Sequence, residues 1–338
     1  MKFDFAIGNP PYQEETENNG RQSPVYNRFM DEAYKVAECV ELITPARFLF
    51  NAGQTPKAWN DKMLDDEHFK VLQYESDASK IFSNTEIKGG VAITMRDARK
   101  KYGKIGIFTE FEELNDILKK VLPYCDKSLT DIAVGAVPYK FTQDLKDEHP
   151  EWVELAGESF DLRTNALDKL YGKVFFEKKT AEENVRIFGL LNKSRAYLWI
   201  KDKYLSVPSN FDKYKIMISK ANGAGKFGET FSKMEIGEPF VGHTQSFISM
   251  GAFESEEEAL NLEKYIKSKF CRCLLSVLKT TQDVTPYKWK YVPLQDFSTN
   301  SDIKWNEAIC MIDKQLYAKY GLSDEEIAFI EANVKEME

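Results

Sequence analysis

Phe3-Asp4-Phe5-Ala6-Ile7-Gly8, running into Asn9-Pro10-Pro11-Tyr12, is the stretch on which the fold turns. Apolar residues at 3, 5 and 7 predict a β-strand, and two consecutive prolines end it in a rigid corner. Each proline fixes φ and lacks an N–H, so the corner presents carbonyl groups without competing donors. An amino group conjugated to a ring is a poor nucleophile because its lone pair is delocalised. Two acceptors aimed at its two hydrogens localise that pair. The Asn9 side-chain carbonyl and the Pro10 backbone carbonyl suit the task without a general base of shifted pKa. Tyr12 then offers a ring face to a base taken out of a helix. The alternative is a strand ending in a proline turn, with Tyr12 as packing.

A polar loop (13–24) follows, then a helix-like stretch from Tyr26 to Ala37 and the run Val40-Glu41-Leu42-Ile43-Thr44-Pro45-Ala46-Arg47-Phe48-Leu49. His68 to Tyr74 and Ile87-Lys88-Gly89-Gly90-Val91-Ala92-Ile93-Thr94 read as further strands. On the corner and these segments, the chain resembles the adenine-N6 DNA methyltransferases of bacterial restriction–modification systems. The group it resembles is type IIG-like and runs cofactor half, catalytic motif, target-recognition domain.

The resemblance implies an α/β architecture: a partial Rossmann-like methyltransferase sheet followed by an α+β target-recognition domain. Residues 1–122 would be the C-terminal half of the catalytic domain, 123–300 the DNA target-recognition domain and 301–338 a C-terminal helical tail. It implies methyl transfer from S-adenosylmethionine to a flipped adenine in double-stranded DNA, with Asn9, Pro10, Pro11 and Tyr12 as the catalytic corner. That family holds its cofactor with a glycine-rich loop after the first strand and an acidic residue after the second, and neither precedes Phe3. The expectation is an incomplete S-adenosylmethionine site, completed by a partner chain or an upstream segment. The strand at Phe3 would then be a sheet edge, covered by a partner chain, a second copy or a rearranged local segment.

One glycine run has dinucleotide-loop spacing, Gly223-Ala224-Gly225-Lys226-Phe227-Gly228 after the strand-like Tyr214 to Ser219. Glu229 to Lys233 and Gly237-Glu238-Pro239 follow it, not a helix with an apolar stripe, so it reads as a mobile basic hairpin tip.

With 338 residues, 43% of them hydrophobic and 13% aromatic, the chain can bury one large core or two moderate ones, and two domains are expected. No apolar run reaches membrane-spanning length and no secretory leader opens the sequence. Five scattered cysteines read as reduced thiols in a cytoplasmic protein. Cys271 and Cys273 point apart on a helical pattern and only three histidines exist, so no metal site is expected.

The net charge of −8 conceals a gradient. Residues 161–295 hold 22 lysines and arginines against 16 acids, whereas both flanking segments are acidic. DNA contact is therefore expected there, through Lys220, Lys226, His243, Gln245, Lys264, Arg272, Lys288 and Lys290. His243 and Gln245 suit base edges in the major groove, or form a common polar turn. The alternative for the segment as a whole is a solvated surface.

Ser255 with Glu258 and Ser323 with Glu326 are capping-box patterns. The first opens an apolar stripe from Ala259 to Val277 at helical spacing; the second opens a short acidic helix at the end of the chain. A helix is also expected from about Glu110 to Leu122, after a strand-like Lys104 to Phe108. In 282–291, strict alternation predicts a strand with Tyr287, Trp289 and Tyr291 on one face, either meeting bases or simply forming core.

Three functions remain open: the methyltransferase just described, a non-catalytic DNA-recognition subunit, and a methyltransferase acting on protein glutamine or RNA. The basic segment favours DNA over the third.

Overall fold

The computed structural model describes residues 2–14, 23–82, 87–156, 159–180 and 182–337. The chain divides into two compact units, Met1–Asp116 and Ile117–Glu338. It is a mixed α/β chain with several separate sheets.

The first unit is built on β1 (Phe3–Gly8), α1 (Tyr26–Val36), β2 (Ala37–Pro45), α2 (Lys57–Leu64), β3 (Phe69–Glu75) and β4 (Val91–Asp97). The strands pair in the order β1-β2-β4-β3, with β1 parallel to β2 and β4 antiparallel to both its neighbours. The long apolar run of β2 fits its central place, where both edges and much of both faces are covered. Val40 and Leu42 turn toward α1 and α2, in a core with Tyr26, Met30, Phe48 and Trp59. The Phe48 and Trp59 rings stand 5.2 Å apart.

The opposite side of β1 is bare: Phe3, Phe5 and Ile7 are 69%, 51% and 73% exposed. Among the described residues β1 pairs with β2 alone, so the expected rearranged local segment is not found there. Residues 104–108, expected as a strand, form no ladder. Gly103 and Gly106 take φ of +86° and +65°, which interrupts extended backbone, while Ile105 and Phe108 still pack on the core.

The second unit follows α3 (Glu112–Val121), which runs across the division. Its elements are β5 (Ala133–Val134), β6 (Lys140–Phe141), α4 (Gln143–Glu148), α5 (Val153–Ala156), α6 (Ala166–Leu170), β7 (Val185–Leu191), β8 (Ser194–Ile200), β9 (Leu205–Ser206), β10 (Tyr214–Ser219), β11 (Glu235–Gly237), β12 (Val241–His243), β13 (Phe247–Phe253), α7 (Glu256–Lys267), α8 (Lys269–Ser276), α9 (Ile309–Lys319) and α10 (Asp324–Asn333). They form sheets ordered β11-β10-β13-β5, β12-β7-β8 and β6-β9.

Both capping boxes form: Ser255 and Glu258 close the start of α7, and Ser323 and Glu326 that of α10. The apolar stripe from Ala259 to Val277 is nevertheless two helices. Ser268 breaks it, its Oγ accepting from the Cys271 N–H at 3.1 Å while donating to the Tyr265 carbonyl at 2.7 Å. Residues 282–291 are not a strand. Pro286–Trp289 is a short 3-10 turn, with proline at its start, that buries Trp289 and exposes Tyr287, so the aromatics do not share a face. Trp289 stacks on Phe231 at 5.9 Å, as core.

Candidate functional site

Because β1 and β2 are parallel, their C-terminal ends open on the same side of the sheet, the side where such sheets bind ligands. Asn9 and Pro11 are exposed there, Pro10 is buried and Tyr12 half-buried. The Tyr12 carbonyl accepts from the Val25 N–H at 3.1 Å, and Gln13 bridges Pro24, which pins the base of the polar loop. Residues 15–22 of that loop lie outside the described residues.

A cavity of about 490 Å³ opens beside the corner, within the size range of small-molecule sites. Tyr12, Tyr26, Arg47, Gly53, Ile87 and Lys88 line it. Arg47 follows β2 directly, and its stem runs through a slot left by two glycines. A Cβ on Gly89 would come 2.5 Å from its Cγ, and one on Gly53 would come 3.3 Å from its Cβ. Gly90 holds the next turn: its φ is +73°, a Cβ there would meet the Glu75 carbonyl oxygen at 2.3 Å, and its own carbonyl accepts from the Ala46 N–H at 3.0 Å.

Tyr12 turns its ring edge toward Phe82, with centroids 6.3 Å apart. Burial pushes its phenol up to about 12, and the hydroxyl has no hydrogen-bond partner among the described residues. Arg47, Lys88 and Phe82 were not singled out from sequence; the available signal was a cation just past the proline that ends a parallel strand.

Of the expected DNA contacts, the structure turns several inward. His243 is fully buried, its Nδ1 3.0 Å from the Thr244 carbonyl, and burial holds its imidazole down at about 4. Arg272 is 1% exposed and donates to the carbonyls of Lys267, Gly228, Glu229 and Lys335. The Lys264 ammonium donates to the Trp305 carbonyl at 2.6 Å, and that of Lys288 to the Leu278 carbonyl at 2.6 Å. His243 and Arg272 are corrections, since both are buried and Arg272 meets the need of interior carbonyls for donors, whereas Lys264 and Lys288 remain half-buried. Lys226 and Lys290 are exposed, and Lys220 and Gln245 half-buried, with the Lys220 N–H bonded to the Ser246 carbonyl.

The glycine run is not a free hairpin tip. The Glu229 carboxylate sits inside it, accepting from the N–H groups of Ala224, Gly225 and Lys226, and pairs with the buried Lys279 ammonium. Burial pushes this carboxyl up, but the Lys279 bond and the backbone donors outweigh it and hold it low. Close packing adds to the restraint: Cβ atoms on Gly225 and Gly228 would meet backbone of Thr281 at 2.3 Å and of Asn333 at 2.6 Å.

Among the described residues no group of three or more potential metal ligands occurs, and no helix is long and apolar enough to cross a membrane. Cys39, Cys125, Cys271, Cys273 and Cys310 are free thiols.

Residues 1–82 match the Eco57I restriction-modification methylase family model. The resemblance is to restriction–modification adenine methyltransferases. A protein of Mycoplasma pneumoniae (strain ATCC 29342 / M129 / Subtype 1) described as an uncharacterized adenine-specific methylase is 30% identical over 96 residues, 27% of this chain and 22% of that protein. The chain thus matches about a fifth of that relative's length. Two solved structures are also similar. The type IIG restriction endonuclease BpuSI is 12% identical, over 93% of this chain and 48% of that one, with a TM-score of 0.31. The type IIL restriction-modification enzyme MmeI, solved in complex with DNA, is 11% identical, over 98% and 56%, with a TM-score of 0.34. TM-scores of this size do not establish a common fold.

Proposed function

We propose that this chain is the catalytic corner and target-recognition portion of a DNA adenine-N6 methyltransferase of a restriction–modification system. The observation that carries this is the corner itself, a strand end at which Asn9 is exposed beside a cavity lined by two tyrosine rings and two cations. The family match over residues 1–82 supports it.

In this reading residues 1–122 are the C-terminal half of a Rossmann-like catalytic domain, 123–300 read the DNA and 301–338 end the chain in helices. The Asn9 side-chain carbonyl and the Pro10 carbonyl accept the two N6 hydrogens of an extruded adenine and localise its lone pair. Tyr12 and Phe82 offer aromatic surface to the base. Arg47 and Lys88 supply positive charge where the flanking phosphates would lie.

In this reading the chain holds only part of the site for S-adenosylmethionine, the methyl donor of such enzymes. The glycine run with suitable spacing is filled by Glu229. A partner chain or an upstream segment would complete the cofactor half, and the bare apolar face of β1 is a surface it could cover.

The deciding experiment is Asn9→Ala with the cofactor half supplied. Methyl transfer to duplex DNA should fall roughly 10²- to 10³-fold while DNA affinity stays near wild type. Unchanged turnover overturns the catalytic assignment, and DNA binding without turnover in the wild type leaves a recognition subunit.

A further inference from the structure

The two faces of the β7–β8 hairpin differ in chemistry. Val185, Ile187, Leu198 and Ile200 turn into the core of the second unit. On the other face the ladder pairs Arg186 with Trp199 and Phe188 with Tyr197. The Arg186 guanidinium carbon lies 5.4 Å from the ring centres of both Tyr197 and Trp199. Phe176 and Trp199 exchange backbone hydrogen bonds of 2.9 and 2.7 Å, which carries the following segment along this edge and sets the Lys179 ammonium 5.3 Å from the Trp199 ring centre. Tyr197 and Trp199 are half-buried and Lys179 is exposed.

Tyr197 packs on one side against the buried Phe188 ring, 4.7 Å away, while the cations Lys179 and Arg186 lie by Trp199 and Arg186 also lies by Tyr197, contacts that the ring quadrupole favours. A cation held over a ring has less freedom left to lose when it meets an anion. Arg186 also pairs with Glu238, whose side chain is 60% exposed, and an exposed pair of this kind is screened by water and contributes little. A phosphate can replace that carboxylate at little cost. From 173 to 203 the chain carries eight lysines and arginines against four acids, complementary to a polyanion.

We propose that Lys179, Trp199, Arg186 and Tyr197 form a ladder that grips the sugar–phosphate backbone of duplex DNA. This rests on the DNA-modifying function proposed above and names a surface for it. The cations address phosphates and the rings hold the cations in place, so the ladder sets position on the duplex and leaves base reading to other groups.

Fluorescence anisotropy of the full chain with a labelled random-sequence duplex, titrated over a range of salt, tests it. In the Lys179→Gln, Arg186→Gln double variant, affinity should drop about tenfold and the salt slope should fall by about two, one for each lost phosphate contact. Lys179→Gln alone, an exposed change that the fold tolerates, should remove about one. Lys179→Arg should keep the slope. Wild-type affinity and slope in the double variant, with DNA binding intact in the parent, would overturn the ladder and leave the DNA function standing. A parent chain that binds no duplex even at low salt overturns both, and preference for a single strand overturns the choice of duplex.

Discussion

Tyr12 and Phe82 meet edge to face, ring centres 6.3 Å apart and planes at 74°, so the corner and the segment after β3 share one aromatic surface although 70 residues separate them. The Tyr12 hydroxyl takes no part in holding that contact, being buried without a partner among the described residues. Tyr12→Phe should therefore leave stability within about 1 kcal/mol of wild type, or raise it, because it removes an unsatisfied polar group. Methyl transfer by the completed enzyme should survive Tyr12→Phe and fall in Tyr12→Ala. Thermal unfolding together with single-turnover methylation checks both, and loss of transfer in the phenylalanine variant would give the hydroxyl a role.

Calorimetric titration of the chain alone with S-adenosylmethionine should show no stoichiometric micromolar binding. The glycine run that has the spacing for a cofactor loop already holds an anion of its own, the Glu229 carboxylate. Saturable one-to-one binding would reveal a cofactor site formed in another way.

Lys279 and Glu229 should be a strong stability determinant of the second unit. The Lys279 side chain is 3% exposed, and besides Glu229 it donates to the Asn222 carbonyl at 2.9 Å. Lys279→Ala leaves a carboxylate buried among backbone donors without its counter-charge, a loss of about 3–5 kcal/mol. Lys226→Ala, on the exposed side of the same loop, should change stability by less than about 0.5 kcal/mol. Chemical denaturation separates the two.

Stability against pH should report two buried groups of opposite sign. Burial holds His243 at about 4, below its ordinary 6.5; the unfolded chain binds the extra proton, so this contribution is present above 6.5 and lost as pH falls toward 4. Burial raises Asp313 from 3.8 to about 6 despite the N–H groups of Phe270 and Lys269, and this contribution is present below 3.8 and lost as pH rises through 6. The windows overlap and largely cancel in the wild type. In His243→Leu the histidine contribution is gone, so the difference in unfolding free energy between wild type and variant should grow by about 3 kcal/mol from pH 4 to 6.5. A constant difference would show that His243 protonates in the folded state.

Local rules carried much of the reading. The helix start at Tyr26 and the bounds of β10 lie where periodicity puts them, and both capping boxes close as their spacing requires. These are short-range effects: a side chain three residues from a backbone N–H finds it with little dependence on the rest of the fold. Local rules failed where a second segment intruded. Ser268 interrupts an otherwise continuous apolar stripe. The N–H groups at the start of the helix it opens, those of Lys269 and Phe270, also bind the Asp313 carboxylate, which lies more than 40 residues away.

By itself the sequence determined the strand and the proline corner that ends it, because consecutive prolines restrict the backbone wherever they stand. It also determined that positive charge gathers between 161 and 295. Only the tertiary structure decided which of those cations meet solvent. Lys264 is satisfied by a carbonyl 41 residues away and Arg272 by one 63 residues away, while Arg186 and Lys179 are left over aromatic rings at the surface. The reason is that a buried carbonyl must find a donor, and which lysine or arginine supplies it depends on chain segments that only folding brings together.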